Sequence, residues 1–471
     1  MNPPLIPPSL DYLHLETAAI FLFLVMVVRT EFLRSADPEY DLQRGFVPLR
    51  WLPFAFVLMA AAFTYQLQGV SPFLGLELAA GISLSLLHPV NALCFMIHLM
   101  ILRPWEIAID NQVLGLIPRF GVSLCILSWL NHPERHKKIN WRSLRGVALL
   151  IGFSGWALLS TAKSPSISAG LSDFFGTYFK TLIVFALALI FVENEQSVRE
   201  FELTIVISAF SLIMSGIYQL LAGEMTKGRL KMSGMLSDPN DMGAVIAMAL
   251  PFALVPVFEE TTGPMTKAAG LLYAGLAAVT IWLTRSRGTM LAVLAQFLVV
   301  RLVRSKKHRW TVILMAGLLG AGYMGLMRLV PREAGEMEAS EGSRLTFWKS
   351  AINMAAHNPI LGVGFDQYPD SYMSYAVGTI YERGRRTAHS SWLLALGETG
   401  FVGFALFCAF FISVARTAWR NRAKRRAQLY AVAGYGVAMT FLSHTYSLYF
   451  YILMALILAS DSLKERVKDG S

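Results

Sequence analysis

Two arginines one residue apart, Arg285 and Arg287, stand directly ahead of Gly288, where an apolar run begins. A helix starting there would aim its free N–H groups and positive dipole end at the spot that already holds two guanidinium charges, and that combination suits an anion. A single arginine could instead reach for lipid phosphates; the paired Arg-x-Arg beside glycine favours an anion site. A second helix start follows Lys227, Arg229 and Lys231, with Asp238 suited to the cap and Pro239 to the first helical position. His389, with Arg385 and Arg386 close before it, precedes the apolar run Ser391 to Val414. A neutral imidazole there can take a proton near neutral pH, although a lone histidine more often packs or hydrogen-bonds.

The stretch that carries His389, Pro331 to Ser390, is polar and longer than an ordinary connection, and such loops carry function or disorder. Apolar residues at helical spacing from Ser343 to Met354, with Arg344 on the same run, predict an amphipathic helix at a membrane interface. Asn358-Pro359, with Gly362 and Gly364 after it, predicts a tight turn. Tyr368, Tyr372, Tyr375 and Tyr381 then suit either the interface or sugar stacking.

These groups must be positioned by membrane helices. With 55% hydrophobic and 15% charged residues, and a mean hydropathy of +0.50, the chain cannot be a soluble domain. A crossing needs roughly 20 apolar residues, and the runs predict an all-α transmembrane bundle of about 12 to 15 helices with one long extracytoplasmic loop containing short amphipathic helices. The runs include Thr17 to Val28, Trp51 to Gln68, Phe73 to Leu87, Val90 to Leu102, Trp310 to Val330, Leu429 to Phe441 and Ser447 to Ala459. Four regions are expected: 1–159, N-terminal helices; 160–330, central helices with arginine-bearing outer loops; 331–390, the loop; 391–471, the last helices and tail.

The net charge of +10 is spread over short loops, which argues against a nucleic-acid partner and for the positive-inside rule. Clusters at Arg135 to Arg145, Arg301 to Arg309, Arg416 to Arg426 and Lys464 to Lys468 all fall on one side, the cytoplasm. Ser160 to Phe174, Ala222 to Met242, Thr284 to Arg287 and Pro331 to Ser390 then face outward. Cys94, Cys125 and Cys408 lie within apolar runs and imply packing rather than disulfides. Met1 to Glu16 has no Lys or Arg, which disfavours a cleaved signal peptide.

Taken in order, Ser286-Arg287-Gly288, Ser343-Arg344 with Trp348, Asn358-Pro359 with Gly362 and Gly364, and His389-Ser390 followed by Gly397-Glu398-Thr399-Gly400-Phe401-Val402-Gly403 resemble the O-antigen ligase and polymerase superfamily, over about Leu203 to Ala459. The resemblance implies a bacterial inner-membrane glycosyltransferase, with neither cofactor nor metal. It would transfer a glycan, with inversion, from a polyprenyl-diphosphate donor to a hydroxyl of lipid A core, a growing polysaccharide or a protein, on the periplasmic face. By the same resemblance Arg229 and Arg287 would hold the diphosphate, Arg344 would support them, and His389 would be the base or would orient the acceptor. Arg285, Arg385, Arg386 and Tyr368 are further candidates for substrate binding. Ligases often have Asn after the histidine, where this chain has Ser390, so polymerase and protein glycosylation remain open.

Elementary chemistry agrees. A departing diphosphate develops negative charge that fixed guanidinium groups stabilise best where water is scarce. A leaving group that good needs little acid, so the remaining task is to activate the acceptor hydroxyl. The competing class is a transporter or flippase for an anionic lipid-linked substrate. Transporters usually build their site at the midplane from broken helices or repeats. Here the polar residues gather at one face, and no half-to-half similarity is visible.

Overall fold

The computed structural model describes residues 72–103, 117–132, 145–223, 228–230, 238–304, 334–377 and 384–469, with single positions at 225, 317, 318, 321 and 325. Among the described residues the structure is all-helical, 81% helix without strands. In chain order the helices are α1 Pro72–Ser85, α2 Pro89–Leu102, α3 Ile117–Leu130, α4 Arg145–Ser160, α5 Ile167–Asp173, α6 Phe179–Phe191, α7 Glu195–Ala222 and α8 Pro239–Leu254. They continue with α9 Pro264–Thr284, α10 Arg287–Arg304, α11 Ala334–His357, α12 Tyr368–Tyr375, α13 Ser391–Arg420, α14 Arg426–Ala438 and α15 Leu448–Asp469.

Local chemistry sets many of these limits. The Asn194 side chain accepts the Ser197 N–H at the start of α7, and Gly223 ends that helix at φ 73°, a left-handed conformation that costs glycine nothing. His88 caps α2 ahead of Pro89, and so divides one apolar stretch into α1 and α2.

Six helical stretches among the described residues are long and apolar enough to cross a membrane: Arg145–Lys163, Ile167–Phe191, Glu195–Leu221, Pro239–Phe258, Pro264–Thr284 and Ser391–Arg420. The expected 12 to 15 crossings are not reached among them. Thr17 to Val28, Trp51 to Gln68 and most of Trp310 to Val330 lie outside the described residues. Others, such as Val90 to Leu102 and Leu429 to Phe441, fall on helices of 14 and 13 residues. Those are shorter than the roughly 20 residues that span hydrocarbon.

The chain folds as two units, 1–139 with 186–284, and 140–185 with 285–471. In the first, α7 packs on α2, α8 and α9. Its buried groups include His98, whose Nδ1 lies 2.8 Å from Ser208 Oγ. In the second, α4 and α11 pack on α13, and α10 packs on α14. Phe347, Ala351, Met354, Val363, Tyr368, Tyr372, Ala388 and Leu394 form a buried cluster there, so the 331–390 region has a core of its own.

Helix α13 is broken. Gly400 sits at φ 67°, ψ −170° within it, which frees carbonyls that an unbroken helix would use. The turn after α11 takes them up: Val363 N–H donates to the Gly397 carbonyl at 2.9 Å, and Gly364 N–H to that of Glu398 at 3.1 Å. In return Phe401 N–H donates to the Pro359 carbonyl at 2.8 Å. Trp156 Nε1 of α4 donates to the carbonyls of both Ile360 and Thr399. A Cβ on Gly400 would lie 2.6 Å from the Pro359 and Ile360 oxygens, and one on Gly362 would lie 2.4 Å from the Glu398 carbonyl carbon. Both positions therefore need glycine. The same contact fixes the first half of α13, and with it the residues just before Ser391.

Candidate functional site

Helix α10 starts as its sequence predicts. Ser286 Oγ accepts the Thr289 N–H at 3.3 Å, and Thr289 Oγ1 donates to Ser286 Oγ at 2.9 Å. Arg287 is the first residue of the helix and only 7% exposed, whereas Arg285 is exposed at φ 49°. A left-handed arginine carries strain, and such strain gathers at functional positions. The dipole at this end disfavours a cation, so a guanidinium buried there gains from a nearby anion.

His389 stands in the corresponding place before α13. It too is left-handed, at φ 47°, and half-buried. Ser390 caps the helix through the Leu393 N–H. Ser391 is held at several points: its N–H donates to the Met439 carbonyl at 2.8 Å, its Oγ to that of Leu442 at 2.6 Å, and Thr445 Oγ1 donates to its own carbonyl at 2.7 Å. Helix α11 links the two starts. Phe347 lies 5.5 Å, ring to ring, from His389 and 5.0 Å from Tyr372. One turn earlier, Arg344 holds its guanidinium carbon 6.0 Å from the centre of the Phe441 ring. That ring abuts Gly288, where a Cβ would lie 2.9 Å from it. Arg287, Arg344 and His389 are thus gathered at one end of this unit through two phenylalanines.

The other candidates fall elsewhere. Arg385 pairs with Asp370 at 3.2 Å on an exposed surface, and Arg386 is also exposed. Tyr368 is 0% exposed and its hydroxyl donates to the Phe347 carbonyl at 2.7 Å, so it has no surface with which to meet a sugar; it fastens α12 to α11. Arg229 belongs to the other unit. Its Nε donates to the Thr284 carbonyl at 2.8 Å and a terminal nitrogen to Asn240 Oδ1 at 3.3 Å. Asp238 caps α8 through the Asn240 N–H at 2.8 Å. Lys227, Lys231 and Tyr381 lie outside the described residues.

Sequence reading passed over several residues at this end. Glu398 is 1% exposed within α13; its Oε1 accepts the Tyr368 N–H at 3.1 Å, and the Tyr446 phenol and Asp366 face its carboxyl. Asp366 takes φ 57°, and burial raises its pKa above the usual carboxylate value, with Asp173 adding to the rise and Arg385 opposing it. In the α14–α15 connection, Phe441 closes the apolar run Leu429 to Phe441, and His444 and Tyr446 fall in the gap before Ser447. Its polar letters Ser443-His444-Thr445 were the available signal. Among the described residues no group of three or more His, Cys, Asp or Glu is placed to hold a metal ion.

An all-helical chain with six helices able to cross a membrane is a membrane protein. Residues 272–408 match the family model described as O-antigen ligase, so this segment is similar to the O-antigen ligase superfamily. The matched stretch contains Arg285, Arg287, Arg344, Arg385, Arg386 and His389; Arg229 and the α14–α15 connection lie outside it. No curated protein matches the chain.

Proposed function

We propose that the protein ligates a glycan from a polyprenyl-diphosphate donor onto a hydroxyl of lipid A core, at the periplasmic face of the bacterial inner membrane. The observation that carries this reading is the gathering of Arg287, Arg344 and His389 at two capped helix starts joined by Phe347 and Phe441. In the reaction the acceptor oxygen attacks the anomeric carbon from the face opposite the leaving group, which inverts that centre. The bond from that carbon to the phosphate oxygen breaks, and the diphosphate departs on its lipid. Arg287, supported by Arg344 and the α10 N–H groups, meets the charge that develops on it. His389 takes the proton from the acceptor hydroxyl as the new bond forms. Arg229, in the other unit, is proposed separately as a diphosphate contact.

The sidedness rests on charge. Helices α10 and α13 begin at Arg287 and Ser391 and end near Arg301, Arg304, Arg416 and Arg420, so the basic clusters lie at the opposite helix ends from the proposed site. A cysteine replacing exposed Val377 should react with a membrane-impermeant thiol reagent in spheroplasts, and one replacing Lys424 should not; labelling at 424 alone would invert the topology. Purified protein given polyprenyl-diphosphate glycan should extend lipid A core. Chain growth on the donor glycan alone would make it a polymerase. Passage of the donor across vesicles without any transfer would make it a flippase.

A further inference from the structure

The α14–α15 connection lies outside the stretch matched to the family, yet it touches Arg344, the residue after Arg287 and both flanks of His389. It opens with a tight turn, in which Thr440 N–H donates to the Val437 carbonyl and Phe441 N–H to that of Ala438. That turn points the Phe441 ring at the start of α10. Only the missing side chain of Gly288 lets it approach: a Cβ there would lie 2.9 to 3.0 Å from three atoms of Phe441. On its other contact the ring carries the Arg344 guanidinium, 6.0 Å from its centre, within the range of a cation–π attraction. The next residues hold both flanks of His389. Ser443 Oγ accepts from Thr387 Oγ1 at 2.8 Å, and His444 N–H donates to Ser391 Oγ at 2.8 Å. His444 is itself held by Tyr435, whose hydroxyl lies 2.6 Å from its Nδ1.

We propose that Phe441 is a positioning residue: its ring sets the place of Arg344 relative to the Arg287 helix start, on a turn that also holds the residues flanking His389. This rests on the transfer reaction proposed above. Phe441 touches neither donor nor acceptor. It acts through two groups that meet the diphosphate, so its loss should fall on the donor side of the kinetics.

The test is a double-mutant cycle in purified full-length protein, read as kcat and as KM for donor and acceptor separately. Phe441→Leu keeps an apolar side chain in the space and removes the aromatic face; kcat/KM for the donor should fall roughly two- to fivefold. The KM for the acceptor and the melting temperature in detergent should stay near wild type, and Phe441→Tyr should restore the rate. Gly288→Ala should cost roughly tenfold by displacing the ring, and adding Phe441→Leu should recover part of that loss rather than add to it. Strictly additive effects, or losses that track melting temperature and fall equally on both substrates, would overturn the proposal and leave Phe441 a packing residue. Arg287→Lys and His389→Asn run beside it as references. If these two retain full transfer, the transfer reading itself has failed; if they lose it while the Phe441 variants do not, only the positioning role has failed.

Discussion

Helices α8 and α10 both begin at polar, charged sequence after a loop, and they do so in different ways. At α8, Asp238 accepts from the Asn240 backbone and side chain, Pro239 fills the first position, and Arg229 is tied to Asn240 and to the Thr284 carbonyl. Every group there has a local reason to be present. At α10 an exposed arginine is held left-handed, the next arginine is buried at the dipole end that disfavours it, and glycine admits a phenylalanine ring. The start of α13 shares the strain, at His389. The lesson is that all three starts are capped, whereas only those of α10 and α13 also place a left-handed Arg285 or His389 directly before the helix, and such strain gathers at functional positions.

The largest expected effect is at α13. His389→Asn removes the base but keeps a residue that tolerates left-handed backbone, so a loss of transfer reports chemistry rather than strain. Transfer should fall by about 10²- to 10⁴-fold with donor binding retained. Near-wild-type turnover would make His389 a structural residue and remove α13 from the comparison.

Arg229 tests the α8 side. Two of its nitrogens bond to this chain's own oxygens, which fixes the guanidinium beside the α8 start. Arg229→Lys should lower transfer only a few-fold, less than Arg287→Lys, because two of its nitrogens are already engaged by the chain. A loss equal to that of Arg287→Lys would make the two helix starts functional equals. Asp238→Ala should cost about 1 kcal/mol of stability through the lost cap and leave kcat/KM close to wild type.

The smallest effect concerns Asp366. Its pKa is raised in the folded protein, so the folded state holds the proton more readily than the unfolded one, and stability grows as pH falls through the folded value. Asp366→Asn, also at ease at φ 57°, should therefore raise the melting temperature at pH 7. That gain should shrink as the pH falls through the raised pKa toward the ordinary carboxylate value. A fall in melting temperature at pH 7 would mean that the carboxylate makes a net favourable contact.

Much of this was legible before the fold. The Arg-x-Arg start at Gly288, the helix around Ser343 to Met354 and the turn at Asn358-Pro359 all follow from local signals: caps, periodicity and glycine. What escaped depends on partners far along the chain. Ser391 to Val414 reads as one apolar run because hydropathy does not register the break at Gly400, which is stabilised by carbonyl acceptors and N–H donors some forty residues upstream. Tyr368 looked like a sugar platform because an aromatic's composition does not reveal whether its ring is covered. Hydropathy alone also does not tell a crossing helix from a short one, such as the 14-residue helix Pro89–Leu102 that His88 caps over the run Val90 to Leu102.

The central proposal is that Arg287 at the α10 start meets the donor's diphosphate. Arg287→Lys tests it most directly: the charge remains and the planar two-pronged fork is lost. With polyprenyl-diphosphate glycan and lipid A core as substrates, kcat/KM for the donor should fall roughly tenfold or more while expression and melting temperature stay near wild type. Wild-type transfer by that variant would contradict the account and leave Arg287 a lipid anchor.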